Sequence, residues 1–232
     1  MISIQNITKI YPSHLSGNPP IVALDDVSFK INGPEFVSIV GKSGAGKTTL
    51  LKLILVEEKP TSGQIFFDGQ DVHKIKKSQL PKIRQRIGTV FQDYKLFPLK
   101  TTYENVAYVM EVIGAADKEI SLDVPKVLEV VGLANKANNF PDELSTGEQQ
   151  RLAIARALIH RPKVILADEP AGNLDPYHTL DIIKLLLKIQ EMGTTVILAT
   201  HNKEIINSLA KRVITLEKGK LIRDEEKGRF IL

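Results

Sequence analysis

The chain has 232 residues, 43% hydrophobic and 25% charged, with a formal net charge of +4. That length supports one large domain with a substantial core, and the composition is that of an ordinary globular protein. Cysteine is absent, which excludes a disulfide framework, a thiolate metal site and a cysteine nucleophile.

In chain order, Ile2 to Ile10 and Val22 to Ile31 read as strands, joined by the turn-rich stretch Pro12 to Pro20 that holds His14. Met1 to Ile7 alternates like a strand and lacks a signal peptide's basic and apolar regions. No apolar run approaches the roughly 20 residues that span a bilayer, so a cytoplasmic, reduced setting is expected. Glu35 to Val40 is an apolar run expected to be a buried strand, and Thr49 to Leu55 reads as a helix. Between them Gly41-Lys42-Ser43-Gly44-Ala45-Gly46-Lys47-Thr48 fits G-x-x-x-x-G-K-[ST] in the strand–loop–helix context that a phosphate loop requires. Gly41, Gly44 and Gly46 let backbone N–H groups approach phosphate oxygens, and the helix N-terminus adds positive partial charge. Lys47 is expected to bridge the β- and γ-phosphates of ATP, and Thr48 to place its hydroxyl on Mg²⁺.

Gly63 to Phe67 and Ile87 to Phe91 read as short strands. The basic clusters His73 to Lys77 and Lys82 to Arg86 lie between them. A solvated helix face, a nucleic-acid surface and a contact with anionic lipid headgroups are all compatible with such clusters. Aromatic residues are not interleaved there as base stacking would need, so no nucleic-acid partner is expected. Gln92, at the end of its strand, could ligate Mg²⁺, orient water or cap the strand. Thr102 to Ile113, Val124 to Val131 and Gly147 to His160 carry helical periodicity, giving a helical insertion of roughly residues 93–160. Its last helix begins at Leu144-Ser145-Thr146-Gly147-Glu148-Gln149-Gln150, where both Ser145-x-x-Glu148 and Thr146-x-x-Gln149 fit a capping box. Strands return at Val164 to Ala167, Thr195 to Ala199 and Arg212 to Leu216, with a long helix over His178 to Met192. The expected fold is α/β: a mainly parallel sheet, an N-terminal antiparallel β subdomain and an inserted α-helical subdomain.

The strand Val164 to Ala167 ends in Asp168-Glu169. Ligands of open α/β sheets bind at the C-terminal ends of strands, so Asp168 is a candidate organiser of Mg²⁺ and Glu169 a candidate base for the attacking water. His201 follows another strand end and could sense the γ-phosphate. His14, His73, His160 and His178 have no such placement and are read as unremarkable side chains.

The ordered set of the phosphate loop at 41–48, Gln92, the segment 144–150, Asp168-Glu169-Pro170, Asn173-Leu174-Asp175 and His201 resembles the nucleotide-binding subunit of an ABC transporter, over essentially the whole chain. The resemblance implies a P-loop ATPase of one domain, with 1–92 and 161–232 as the ATP-binding core and 93–160 as the helical signature subdomain. It implies that Tyr11 stacks on adenine, and that the phosphate contacts extend through Thr49. It implies that Ser145, Gly147 and Glu148 face the ATP of a second copy in an ATP-bound homodimer, and that Asp175 communicates between the two sites. Gln92 matches the glutamine of the loop that meets an integral membrane partner. A narrower resemblance, carried by Val131 to Leu133, Lys136-Ala137, Asn139 to Pro141, Leu144 to Arg151 and Leu221 to Glu225, is to the FtsE-like cell-division group. Such subunits pair with an FtsX-like membrane protein and control peptidoglycan hydrolysis, which places the chain on the cytoplasmic face of the membrane. ATPases of lipoprotein-releasing and macrolide-type exporters are similar too.

Two residues depart from the family pattern, Thr146 for the first signature glycine and Ala171 for a threonine. A soluble ABC ATPase acting on DNA or ribosomes would carry a coiled-coil or zinc insertion or a second cassette, and none is present. A small-molecule kinase or GTPase would not need 145–149, and the guanine-reading Asn-Lys-x-Asp pattern is missing. Close together after Gln92 stand Tyr94, Leu96, Phe97, Leu99 and Tyr103. An exposed subset of these is expected to form a docking groove for a helix of the membrane partner.

Overall fold

The computed structural model describes residues 1–13 and 19–229; the middle of the Pro12 to Pro20 stretch, with His14, lies outside them. The elements in chain order are β1 (Ile2–Tyr11), β2 (Ile21–Ile31), β3 (Phe36–Val40), α1 (Lys47–Ile54), β4 (Ser62–Phe67), β5 (Gln70–Asp71), α2 (Leu80–Arg84), β6 (Ile87–Val90), α3 (Thr102–Val112), α4 (Asp117–Val130), α5 (Thr146–Leu158), β7 (Val164–Asp168), α6 (Pro176–Glu191), β8 (Thr195–Thr200), α7 (Lys203–Leu209), β9 (Arg212–Glu217) and β10 (Lys220–Glu225). The chain forms two compact units, residues 1–84 with 197–232, and residues 85–196. The second takes in β6, β7 and α6 as well as the helical stretch 93–160.

In the first unit β1 is the centre of an antiparallel sheet, with β2 on one side and β4, then β5, on the other. Its inward residues Ile2, Ile4 and Ile7 are buried with Leu24, Val27, Ile31, Ile65 and Phe67, a period of two that a bulge interrupts between Ile4 and Ile7. Every residue of β3 is buried, and β3 pairs in parallel with β9. Apart from the buried Ser38, this apolar run is what a strand covered on both faces requires. The β9–β10 hairpin turns at Lys218 and Gly219, both at positive φ (47° and 79°), as a two-residue hairpin turn demands. The Arg212 guanidinium spans Asp224 (2.8 and 2.7 Å) and Glu35 (3.3 and 3.2 Å). It thereby ties β9 to β10 and to the residue before β3.

In the basic clusters Lys74, Lys76, Lys77 and Lys82 are exposed. Arg84 donates instead to the carbonyls of Leu55 (3.3 Å) and Val56 (3.0 Å), closing the C-terminal end of α1, where a cation is favoured.

In the second unit β6 and β7 pair in parallel. Helix α6 starts at Pro176 behind the N-cap Asp175 and buries the stripe Ile182, Ile183, Leu186 and Ile189, spaced for one helical face. Helix α4 is longer than the sequence pattern suggests. It begins at Asp117, where Glu119 accepts from the Ala116 N–H, and carries Pro125 inside it.

Candidate functional site

The phosphate loop follows β3 directly. Gly46 sits at φ 101° as the N-cap of α1 with no side-chain cap, and α1 has no acidic residue in its first turn. A Cβ at Gly46 would lie 2.4 Å from the Ala23 carbonyl oxygen, so both its conformation and its surroundings require glycine. Gly44 (φ 77°) faces open space. The uncapped start of α1 therefore offers backbone N–H groups and positive partial charge to an anion. Lys47 is buried, and its Nζ donates to the carbonyls of Gly41 (2.8 Å) and Lys42 (3.3 Å). The ammonium thus lies folded over its own loop. Lys42, Ser43 and Thr48 are exposed along the loop, and Ala45 is buried beneath it. The Ala45 carbonyl accepts from the Gly219 N–H, and the Gly219 carbonyl accepts from Asp25 N–H.

Tyr11 ends β1 close to the same helix. Its hydroxyl donates to Glu58 Oε2 (2.6 Å). Lys9 places its ammonium 4.8 Å from the ring centroid and 3.1 Å from the same carboxylate. Burial, then the bond to Glu58, raises the phenol pKa, while the Tyr11 bond leads the causes that lower that of Glu58. His201, also in the first unit, is exposed just before Asn202, the N-cap of α7.

In the second unit β7 delivers Asp168 to its end, and Glu169 follows at φ 46°. That left-handed conformation is uncommon for a non-glycine residue and is a strain typical of functional positions. The Gly172 N–H donates to the Glu169 carbonyl (3.0 Å), and a Cβ at Gly172 would stand 3.2 Å from Gln92 Nε2. Gln92 is therefore brought against the turn that follows Glu169.

Ser145 is the N-cap of α5. Its hydroxyl accepts from the Glu148 N–H (3.3 Å), and the Glu148 carboxylate accepts from the Ser145 N–H (2.9 Å). The backbone bond from Ser145 is the first cause holding the Glu148 carboxyl below its ordinary pKa. Of the two possible capping boxes the first forms. Gln149 instead donates to the carbonyls of Pro141 (2.7 Å) and Leu144 (3.3 Å), so Thr146 is an exposed first-turn residue in ordinary helical conformation. The carboxylate of Glu148 serves Ser145 and pairs with Lys136 (3.8 Å).

Asp175 accepts from the N–H groups of Tyr177 (2.9 Å) and His178 (3.1 Å) through Oδ1, and its Oδ2 meets His178 Nδ1. The His178 bond is the first cause lowering the Asp175 pKa. The His178 ring in turn lies against Gly147, where a Cβ would be 3.0 Å from Cδ2. His178, which the sequence offers no reason to single out, bridges the Asp175 turn and the start of α5. Glu58 was likewise invisible, since nothing in the sequence pairs it with Tyr11, forty-seven residues away.

Among the described residues no group of three or more His, Cys, Asp or Glu side chains could hold a metal. Thr48 in the first unit, and Gln92 and Asp168 in the second, each carry a hard oxygen donor, one of them a carboxylate. That suits Mg²⁺, which is held by one or two carboxylates together with substrate phosphates.

The apolar and aromatic residues after Gln92 divide by exposure. Leu99 is 90% exposed. Phe97 packs edge-on against Tyr108 (4.9 Å), with the Arg156 guanidinium 4.7 Å from its ring. Asn105, fully buried, clamps this loop through Nδ2 to the carbonyls of Phe97, Lys100 and Thr101 and through Oδ1 from the Phe97 N–H. Beside it a cavity of about 230 Å³ is lined by Thr89, Phe91, Tyr94, Lys95, Arg156 and His160, among others.

Residues 24–172 match the family model described as ABC transporter. The chain is 51% identical to the Mycobacterium tuberculosis protein named cell division ATP-binding protein FtsE, over 98% of this chain and 97% of that one. It is 48% identical to the Bacillus subtilis protein of the same name, over 99% and 98%. It also superimposes with a TM-score of 0.86, at 38% identity and covering 99% of this chain and 100% of the other, on the ATP-binding cassette MJ0796 in a dimeric post-hydrolysis state bound to ADP and Pi.

Proposed function

The chain belongs to the ABC transporter family, as an ABC-type ATPase, and we propose that it powers or gates an FtsX-like integral membrane protein in cell division, thereby controlling peptidoglycan hydrolysis. The observation that supports this most is the near-full-length identity to cell division ATP-binding proteins. Among the described residues no helix is long and apolar enough to cross a membrane, so a membrane role needs a partner, and the chain would sit peripherally on the cytoplasmic face. The chain would act as one ATPase domain, with 1–92 and 161–232 as core and 93–160 as helical signature subdomain.

The phosphate loop, from Gly41 through Thr49, binds the triphosphate, and Lys47 leaves its carbonyl partners to neutralise β- and γ-oxygens. Tyr11 stacks on the adenine. Thr48, Gln92 and Asp168 would hold Mg²⁺, which would supply charge neutralisation on the phosphates. Glu169 accepts a proton from the attacking water as the bond from the γ-phosphorus to the bridging oxygen breaks, giving ADP and phosphate. His201 holds the γ-phosphate in line. Ser145, the Gly147 N–H and Glu148 complete the site of a second copy, and Asp175 relays between the two. The cavity and the loop from Tyr94 to Leu99 receive a helix of the membrane partner.

Lys47→Ala is expected to lose ATP binding, and Glu169→Gln to bind ATP, hardly cleave it, and accumulate as a dimer by size exclusion with Mg-ATP. Native turnover in either variant would overturn the assignment. Affinity capture of the intact chain from membranes tests the partner. A four-span protein with one large external loop supports the reading. A lipoprotein-releasing or macrolide-type permease overturns it. Charged substitutions at Leu96 or Phe97 should release the partner while sparing ATP binding.

A further inference from the structure

We infer that Glu58 is a positioning residue for nucleotide binding: its carboxylate holds Tyr11 as a preset stacking platform fastened to the phosphate-binding helix. The inference rests on the proposed stacking of Tyr11 on the base. An aromatic ring at the end of a β-strand has free χ1 and χ2 angles. If it is to stack on a base whose phosphates are gripped elsewhere, those rotations must be frozen on binding, which weakens affinity.

Here they are restrained beforehand. The Tyr11 hydroxyl donates to Glu58 Oε2 at 2.6 Å, and Glu58 lies in the turn just past α1, its N–H approaching the Lys52 carbonyl. The turn that follows the phosphate-binding helix therefore grips the phenol. Glu58 is itself fixed by Lys9 (3.1 Å) and Lys52 (3.8 Å), and Lys9 also donates to the Lys59 carbonyl (2.9 Å). With the Lys9 ammonium over one face of the ring at 4.8 Å, a base can stack on the opposite face. A charge-assisted bond of this length is stronger than a neutral one and directional, so the ring's distance from the phosphate loop is set by covalent and hydrogen-bonded geometry within one unit.

Two ligands separate the base from the phosphates: Mg-ATP and inorganic tripolyphosphate with Mg²⁺, each titrated calorimetrically into the intact protein. Glu58→Ala should weaken ATP roughly two- to tenfold, the range of one aromatic stack, and leave tripolyphosphate unchanged. Glu58→Gln, whose amide oxygen still accepts from the phenol, should stay within about twofold of the native affinity for ATP. Tyr11→Phe keeps the ring but removes the tethered hydroxyl. It should weaken ATP like Glu58→Ala, and the double variant should be no weaker than either single one. This second route stands even if Glu58→Ala fails to fold. Tyr11→Phe binding ATP as tightly as the native chain, or Glu58→Ala weakening both ligands equally, would overturn the inference. If Tyr11→Ala also leaves ATP affinity untouched, the stacking assignment itself falls. If Tyr11→Ala weakens ATP while Tyr11→Phe and Glu58→Ala do not, only the positioning role of Glu58 falls.

Discussion

Val56 shows how a single backbone angle can set a residue's contribution. It lies at φ 57° just past α1, where its carbonyl accepts from Arg84. A left-handed conformation costs a β-branched residue roughly 1–2 kcal/mol, and glycine adopts it freely. Val56→Gly is therefore expected to raise stability by about 0.5 kcal/mol, the relief being partly offset by loss of the half-buried methyl groups; urea unfolding measures it, and a lowered midpoint would refute the strain argument. At Gly147 the constraint comes from space. A Cβ would meet the His178 ring, which Asp175 holds. Gly147→Ala should impair ATP-driven dimerisation in a Glu169→Gln background, and adding His178→Ala should restore it. Failure of the second substitution to rescue the first would show that the γ-phosphate contact, and not the ring, demands glycine.

Elements in this protein are joined by a few polar clamps. Arg212 connects β9, β10 and Glu35 through a forked guanidinium, and its hydrogen bonds to Asp224 raise its pKa above the already high value of arginine. A lysine carries the charge but not the planar fork. Arg212→Lys should cost about 1–2 kcal/mol of stability in urea without changing ATP affinity, because the clamp is at the opposite end of β3 from the phosphate loop. An unchanged unfolding midpoint would show the pairs to be ordinary surface contacts. Strand β10 exists through this pairing: five of its six residues are exposed, so it has no apolar alternation of its own. Helix α4 escaped full recognition for a related reason, since Pro125 in its middle masks the two turns before it.

At the scale of the whole molecule, two histidines report on acid sensitivity. His73 in the first unit and His160 in the second both have pKa values lowered by burial, partly opposed by carbonyl partners, Leu53 for His73 and Ile87 and Arg156 for His160. Each therefore takes up its proton less readily in the folded chain than in the unfolded one, which is protonated below about pH 6.5. The unfolded state then binds more protons, so stability rises with pH in that window. Stability should be flat above the unfolded value, decline as pH falls below it, and level off once the folded value is passed. Urea titrations between pH 7.5 and 5 measure the slope, and His160→Asn should reduce it. An unchanged slope would place the sensitivity elsewhere.

The phosphate loop, the Asp168-Glu169 strand end and the signature were legible because each couples a short motif to the apolar run or capping box that positions it. Local spacing is enough to specify a glycine at φ 101° or a serine at an N-cap, and the parallel α/β class follows from the apolar runs that become β3, β7 and β8. Contacts between residues distant in sequence left no such trace. Nothing local ties Glu58 to Tyr11, His178 to Gly147 or Gln92 to Gly172. The split between exposed Leu99 and packed Phe97 was decided by Asn105 and Tyr108 across the loop. Motifs are written in covalent neighbours, whereas a side chain's orientation and exposure are set by whichever distant element the fold brings against it.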